Sequence, residues 1–401
     1  MVHAHMPSPA RVGRGGDPDP YPNYAWLRKE APVSALYSPD GDGRSWLVTS
    51  YEFARACLED SRLSNDDREA AGDSERVSEE LWSTARGLLN LDGPEHMRLR
   101  KVVSGAFSPR TSAQFRPMME RVCQEAIDSF ASRGSADLAA EYALRVPVAI
   151  IHEVLGVPES VRKDPARCFD LFYRTGLART TDPTCFEELV EYADELADYK
   201  RSHPGDDIGT LLLRSVDSGQ LQGQRELRSM ILSVLGAGHV TTVQSVGCAV
   251  LRLLENPDQL ASIFAGSPSW AQSVNEMLRY DSPIQATVNR YATEDMRIGE
   301  VDVAKGDVVL ISIAAANRDP ERFEDPERFD VTRPSRSNLA FGHGTHLCLG
   351  AHLARIEGEV ALEMLFRQLK DLRLAIDPAE VVWSYGPMLR GPRELPVTFS
   401  R

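Results

Sequence analysis

Apolar spacing over residues 225–254 predicts one unusually long helix, and that commits the chain to a mainly helical fold. The same periodicity predicts helices over 21–30, 95–106, 112–131, 186–200 and 270–279. Strand-like runs are short and lie late, at 287–292, 307–313 and 395–399, so small sheets accompany the helices. No Gly/Ser linker or charge block divides the 401 residues, and 21–401 reads as one domain behind a poorly ordered lead-in at 1–20. Apolar content of 42% with 26% charged residues is that of a soluble globular protein. The net charge of −14 argues against nucleic acid or an anionic membrane as partner. The first residues lack the apolar run of a signal peptide, and no uninterrupted apolar stretch reaches membrane-spanning length. Six scattered cysteines without a CxxC pair fit a reducing cytoplasm, and a monomer is the default expectation.

The long helix contains an anomaly. Its centre reads SVLGAGHVTTVQ, residues 233–244, where Gly236 and Gly238 each cost about 1 kcal/mol relative to alanine. A helix tolerates such residues where another body comes close, where its hydrogen-bond ladder opens, or where a neighbouring helix packs tightly. Spacing alone does not choose among these.

A second anomaly is AFGHGTHLCLGAHLAR, residues 340–355, where one cysteine stands among three glycines and three histidines before a helix-forming run. The free N–H groups at a helix start favour a thiolate at Cys348. Gly342 and Gly344 permit a tight loop, and Gly350 permits backbone to approach a flat or bulky group. Three uses compete. Cys348 and His352, with His343 or His346, suit zinc. A nucleophilic cysteine would take one of these histidines as base. A heme iron would take the thiolate as axial ligand.

Together these stretches make the chain resemble a bacterial cytochrome P-450, of the soluble heme-thiolate monooxygenase superfamily. The resemblance covers nearly the whole length, from DPYPNYAWLRKEAPV at 19–33 to LRGPRELPVTF at 389–399. The pattern F-x-x-G-x-x-x-C-x-G is present as Phe341, Gly344, Cys348 and Gly350, and E-x-x-R as Glu276 and Arg279. The resemblance implies a single large domain with heme between the long central helix and the cysteine-bearing loop. It implies heme b bound to Cys348, with Phe341, Gly342 and Gly350 around it. It gives the propionates His96, Arg100, Arg290 and His346 as partners, since buried carboxylates need charge-assisted hydrogen bonds. It also implies a structural ion triad of Glu276, Arg279 and, from FEDPERFD, Arg328.

For activity, the resemblance implies reductive activation of dioxygen, the thiolate favouring O–O cleavage. The expected outcome is hydroxylation of a mainly apolar specialised metabolite, such as an antibiotic precursor. Ala237 and Gly238 would lie beside the oxygen, and Thr241 would hydrogen-bond it. One position departs from the family pattern: Val240 stands where an acid usually precedes the threonine. His239 is adjacent, but neighbouring helix residues point about 100° apart, so it does not simply replace the acid. Protons would then come through water or a polar group on the substrate. Oxidative cyclisation or aromatic coupling is the alternative outcome, with a heme-binding sensor and a zinc or cysteine hydrolase as more distant rivals.

By family position, substrate would meet Leu88, Leu89, Ser233, Gly236, Ala237, Ala286, Val288 and Met388, with Gly236 leaving space over the heme. The segments 63–86 and 169–186 would form a mobile roof. No flavin or nicotinamide fingerprint is present, so electrons would come from a ferredoxin and its reductase. Arg98 and Lys101 are candidates to face the ferredoxin.

Overall fold

Prolines and small polar side chains decide where the helices begin. The computed structural model describes residues 19–36, 45–69, 87–177, 183–385 and 388–400. In chain order the elements are α1 (Tyr21–Glu30), β1 (Val33–Leu36), β2 (Ser45–Val48), α2 (Tyr51–Glu59), β3 (Leu63–Ser64), α3 (Gly93–Ser104), α4 (Pro109–Gln114), α5 (Arg116–Asp128) and β4 (Ser135–Asp137). There follow α6 (Arg145–Leu155), α7 (Pro165–Phe172), α8 (Pro183–Ser202), α9 (Ile208–Asp217), α10 (Gln224–Glu255), α11 (Pro257–Phe264) and α12 (Trp270–Tyr280). The rest are β5 (Arg290–Ala292), β6 (Met296–Ile298), β7 (Val301–Val303), β8 (Val308–Ile311), α13 (Ile313–Ala316), α14 (Ala351–Gln368), β9 (Lys370–Leu374), β10 (Trp383–Tyr385), β11 (Arg390–Pro392) and β12 (Pro396–Ser400).

Local chemistry explains where boundaries differ from the periodicity. The helix expected over 112–131 is two helices, because Pro117 has no amide hydrogen and starts α5 afresh at its first turn. The strand expected to run to residue 313 stops at Ile311, because the Ser312 side chain accepts from Ala315 N and caps α13 instead. Asp164 and Asp207 cap α7 and α9 in the same way.

The described residues fall into two compact units. The first takes its residues from 1–74, 275–348 and 383–391. It holds a five-stranded sheet ordered β1-β2-β8-β5-β3, whose β2–β8 pair is parallel, with Ser45 opposite Val308 and Val48 opposite Ile311. Val48, Val309 and Ile311 from this sheet pack with Ala54 and Leu58 of α2 in one apolar cluster. The second unit takes its residues from 75–274, 349–382 and 392–401. Its axis is α10, surrounded by α6, α9 and α14, with the β4-β12-β9 sheet at one side. By length and composition α10 is apolar enough to cross a membrane, but 72% of its apolar window is buried in this packing, as in a core helix.

The lead-in of residues 1–18 lies outside the described residues, as do 70–86 and 178–182 of the expected roof.

Candidate active site

Of the six cysteines, five are buried and Cys348 alone is exposed. It closes the first unit's loop: its amide donates to Phe341 O at 2.8 Å, and Gly342 N donates to Leu339 O at 2.8 Å. Gly342 and Gly344 both have positive φ, 71° and 73°. A Cβ on Gly344 would lie 2.8 Å from Leu58 O, so α2 also holds the loop in place. Leu347, next to the cysteine, is exposed as well. Nothing lies within 4 Å of where a Cβ on Gly350 would be. An accessible thiol with apolar and side-chain-free neighbours suits a soft metal held in a large flat group.

The histidines here do not make a zinc site. His343 Nε2 lies 2.6 Å from Glu59 Oε1 and also meets Arg55 Nε at 3.1 Å. Among the described residues, no three His, Cys, Asp or Glu side chains come together as metal ligands. His346 lies half-buried on a single turn, Gly344–His346. Arg290, also in this unit, is buried, and its Nη1 reaches Cys57 O and Leu63 O at 3.4 Å. Ala286 is buried, while Val288 and Met388 are half-buried; the Met388 carbonyl accepts from Gln285 N at 2.8 Å.

In the second unit α10 runs unbroken, so its glycines mark close approach and not an opened ladder. A Cβ on Gly236 would stand 2.5 Å from the Phe172 ring, and one on Gly238 2.4 Å from Ile151. The expectation that Gly236 leaves open space is therefore corrected: its empty volume is filled by α7. Ser233 likewise faces neighbouring backbone, since a Cβ on Gly87 would fall 1.9 Å from its Oγ. The uncovered face of this buried helix is instead marked by Ala237, which is exposed, and Thr241, which is half-buried one turn on. Thr241 Oγ1 donates to Ala237 O at 3.1 Å, leaving its oxygen lone pairs available.

His239 is turned away from that face. It is fully buried, and Nδ1 donates to Leu235 O at 2.6 Å. Its ring meets Phe172 edge-on with centroids 5.3 Å apart. Burial pushes its pKa down to about 4, so it is neutral and cannot serve as the missing proton donor. Val240 is buried too. Neither neighbour of Thr241 on the amino-terminal side supplies an acid.

On α3, His96 is 2% exposed and Arg100 is half-buried. Arg98 is committed elsewhere, its Nη2 lying 2.5 Å from Glu226 Oε1 of α10 and its Nη1 bonding Gln220 O at 2.8 Å. Of the basic pair offered to a partner, Lys101 alone is exposed. Leu88 is half-buried and Leu89 is 53% exposed.

The ion triad differs from expectation at one member. Arg279 Nε lies 2.7 Å from Glu276 Oε2, and both side chains are fully buried. The second guanidinium on Glu276 belongs to Arg333, whose Nε is 3.2 Å from Oε1. Arg328 contributes its carbonyl, which accepts from Arg279 at 3.3 Å and from Arg333 at 3.2 Å. The turn through Asp325 and Arg328 presents backbone oxygens inward, so the charge must come from farther along the chain. Arg333 sits in DVTRP, which carries no pattern that would have singled it out.

A family model described as Cytochrome P450 matches residues 268–378. Cytochrome P450 107B1 of Saccharopolyspora erythraea is 38% identical over 390 residues, covering 94% of this chain and 95% of the relative. The chain belongs to the cytochrome P450 family. It is similar also to 6-deoxyerythronolide B hydroxylase of the same organism, at 37% identity over 94% of this chain and 96% of that one. Among solved structures, the tirandamycin C-bound P450 monooxygenase TamI matches with a TM-score of 0.85 at 34% identity, over 95% of this chain and 98% of that one. The chain is thus a cytochrome P450 monooxygenase with the fold of that family, and heme b is the family's cofactor.

Proposed function

We propose that this P450 hydroxylates a mainly apolar small-molecule specialised metabolite, with Cys348 as the thiolate ligand of its heme. Bound there, heme iron supplies reductive activation of dioxygen. The observation that carries the reading is the exposed Cys348 in its glycine-shaped loop, the one accessible thiol in the chain. His96, Arg100, Arg290 and His346 are the proposed propionate partners, and their buried or half-buried cationic and N–H groups suit carboxylates.

Ala237 offers no bulk, so substrate and oxygen can approach α10 there. Thr241 Oγ1, its own proton donated to Ala237 O, can accept a hydrogen bond at that face, and a proton relayed there must come from another donor. With Val240 apolar and His239 neutral, that donor is water or a polar group of the substrate. Leu88, Leu89, Val288, Ala286 and Met388 are proposed as substrate neighbours, which favours an apolar body. The 6-deoxyerythronolide B hydroxylase and tirandamycin-bound relatives support a specialised-metabolite substrate. We propose electrons from a cytoplasmic ferredoxin and its reductase, since the sequence has no flavin or nicotinamide fingerprint. Residues 21–401 would act as one heme domain.

The test is the reduced carbon monoxide adduct of the purified protein. Wild type should show thiolate-type Soret absorption, and Cys348→Ser should lose it while keeping its helical circular dichroism. Wild type without that absorption would sink the proposal.

A further inference from the structure

Residues from opposite ends of the sequence meet in the first unit at one buried carboxylate. Tyr21 opens α1, and its Oη donates to Asp281 Oδ1 at 2.9 Å. Arg390 opens β11 and donates from Nη1 to the same oxygen at 2.6 Å, and all three residues are buried. Cations seat on both flanking rings: Arg318 Cζ lies 3.4 Å from the Tyr21 centroid, and Arg390 Cζ lies 3.4 Å from that of Trp383. The segments that Asp281 and Arg390 belong to are also joined through their backbones. Gln285 N donates to Met388 O at 2.8 Å, Arg390 N donates to Pro283 O at 3.0 Å, and Ile284 bridges Leu389 antiparallel. Gln285 meets α1 as well, since Tyr24 Oη donates to its Oε1 at 3.4 Å, while its Nε2 donates to Ser282 O at 2.7 Å. Ala286, Val288 and Met388 follow directly along these two joined segments.

We infer that Tyr21, Asp281 and Arg390 are positioning residues for substrate: through the joined segments 281–288 and 388–390 they fix where Ala286, Val288 and Met388 stand. The inference rests on the reading of those three as substrate neighbours, whereas the brace itself consists of contacts within one unit. Asp281 is its joint. That residue receives a hydroxyl from α1 and a guanidinium from the second segment, and charge-assisted bonds are stronger than neutral ones. Removing the Tyr21 hydroxyl leaves the ring on Arg318 and takes one bond from the joint. Segment 281–288 then loosens against 388–390 while α1 keeps its seat. A loosened wall yields to bulk, so discrimination against large ligands falls.

The probes are imidazole and N-benzylimidazole, titrated into holoenzyme by the Soret shift, together with amide exchange at Gln285, Arg390 and Ala292. Ala292 N, bonded to Asp307 O at 3.0 Å in the same unit, reports any general loss of stability. Tyr21→Phe should bind N-benzylimidazole at least threefold tighter than wild type, with imidazole unchanged. It should also speed exchange at Gln285 and Arg390 at least tenfold relative to Ala292. Asp281→Asn, which removes the charge that Arg390 meets, should exceed Tyr21→Phe in both readouts. Arg390→Lys, which keeps a cation, should fall between wild type and Arg390→Met. Equal speeding at all three amides would make the set a general stabiliser, and an unchanged ratio of the two affinities would detach it from substrate; either result overturns the inference. If Asp281→Asn or Arg390→Met does not fold, Tyr21→Phe decides alone. Selective exchange at the two segments with no imidazole binding even by wild type would defeat the heme reading, and with it the role toward substrate, but not the brace.

Discussion

Two glutamates are buried equally deeply and handled in opposite ways. Glu276, on α12, is 0% exposed and receives Arg279 at both oxygens, Arg333, Ser335 Oγ at 2.5 Å and the Asp330 amide at 3.1 Å. Glu357, on α14, is 2% exposed, and its Oε1 has no hydrogen-bond partner. Burial pushes its pKa up to about 8, with the Cys123 thiol a neighbour. The first site matches its acid with guanidinium groups and hydrogen-bond donors; at the second, burial with no partner on Oε1 among the described residues favours the neutral acid. Burial alone does not decide ionisation. The partners do.

The largest effect should come from breaking the matched site. Glu276→Ala leaves Arg279 buried without its counter-charge and should cost roughly 3–5 kcal/mol, read by urea unfolding. A loss below 1 kcal/mol would mean that the carbonyls of Asn317 and Pro326, at 2.9 and 3.0 Å from Nη1, suffice on their own.

Glu357→Gln tests the other member through pH. The folded-state pKa lies above the unfolded one, so between pH 4.5 and 8 the folded chain holds a proton that the unfolded chain has lost. Its contribution is thus fully present at low pH and disappears as pH rises through about 8. Between pH 5 and 8 wild type should lose roughly 2–4 kcal/mol from this group, and the glutamine variant should lack that slope. Parallel curves for the two proteins would refute a neutral Glu357.

Arg333→Ala should weaken the matched site by about 1–3 kcal/mol, because one charge-assisted bond to Glu276 goes while Arg279 stays. Arg328→Ala should change stability by no more than about 0.5 kcal/mol, since the ion site uses its carbonyl. Reversal of that order in thermal unfolding would restore Arg328 as the third ion partner.

How much of this was legible depends on whether the signal was local. The helix over 21–30 has the bounds its periodicity predicts, and α10 extends the predicted span by one residue at each end. The split at Pro117 was readable from proline chemistry, whereas periodicity alone ran through it. Glu357 gave no sign, because an acid in ARIEGEVAL, with Glu359 two residues on, looks like a solvated helix position. Burial sets its environment, and its neighbour Cys123 lies far away in sequence.

The sequence by itself determined the helical class, the family, and the cysteine with its glycine spacing, because these follow from spacing along one chain segment. Only the tertiary structure decided that Arg333 and not Arg328 charges the triad, that His239 points into packing, and that Gly236 is filled by Phe172. Periodicity reports which side chains share a face. What stands opposite that face is set by residues brought there from elsewhere in the fold.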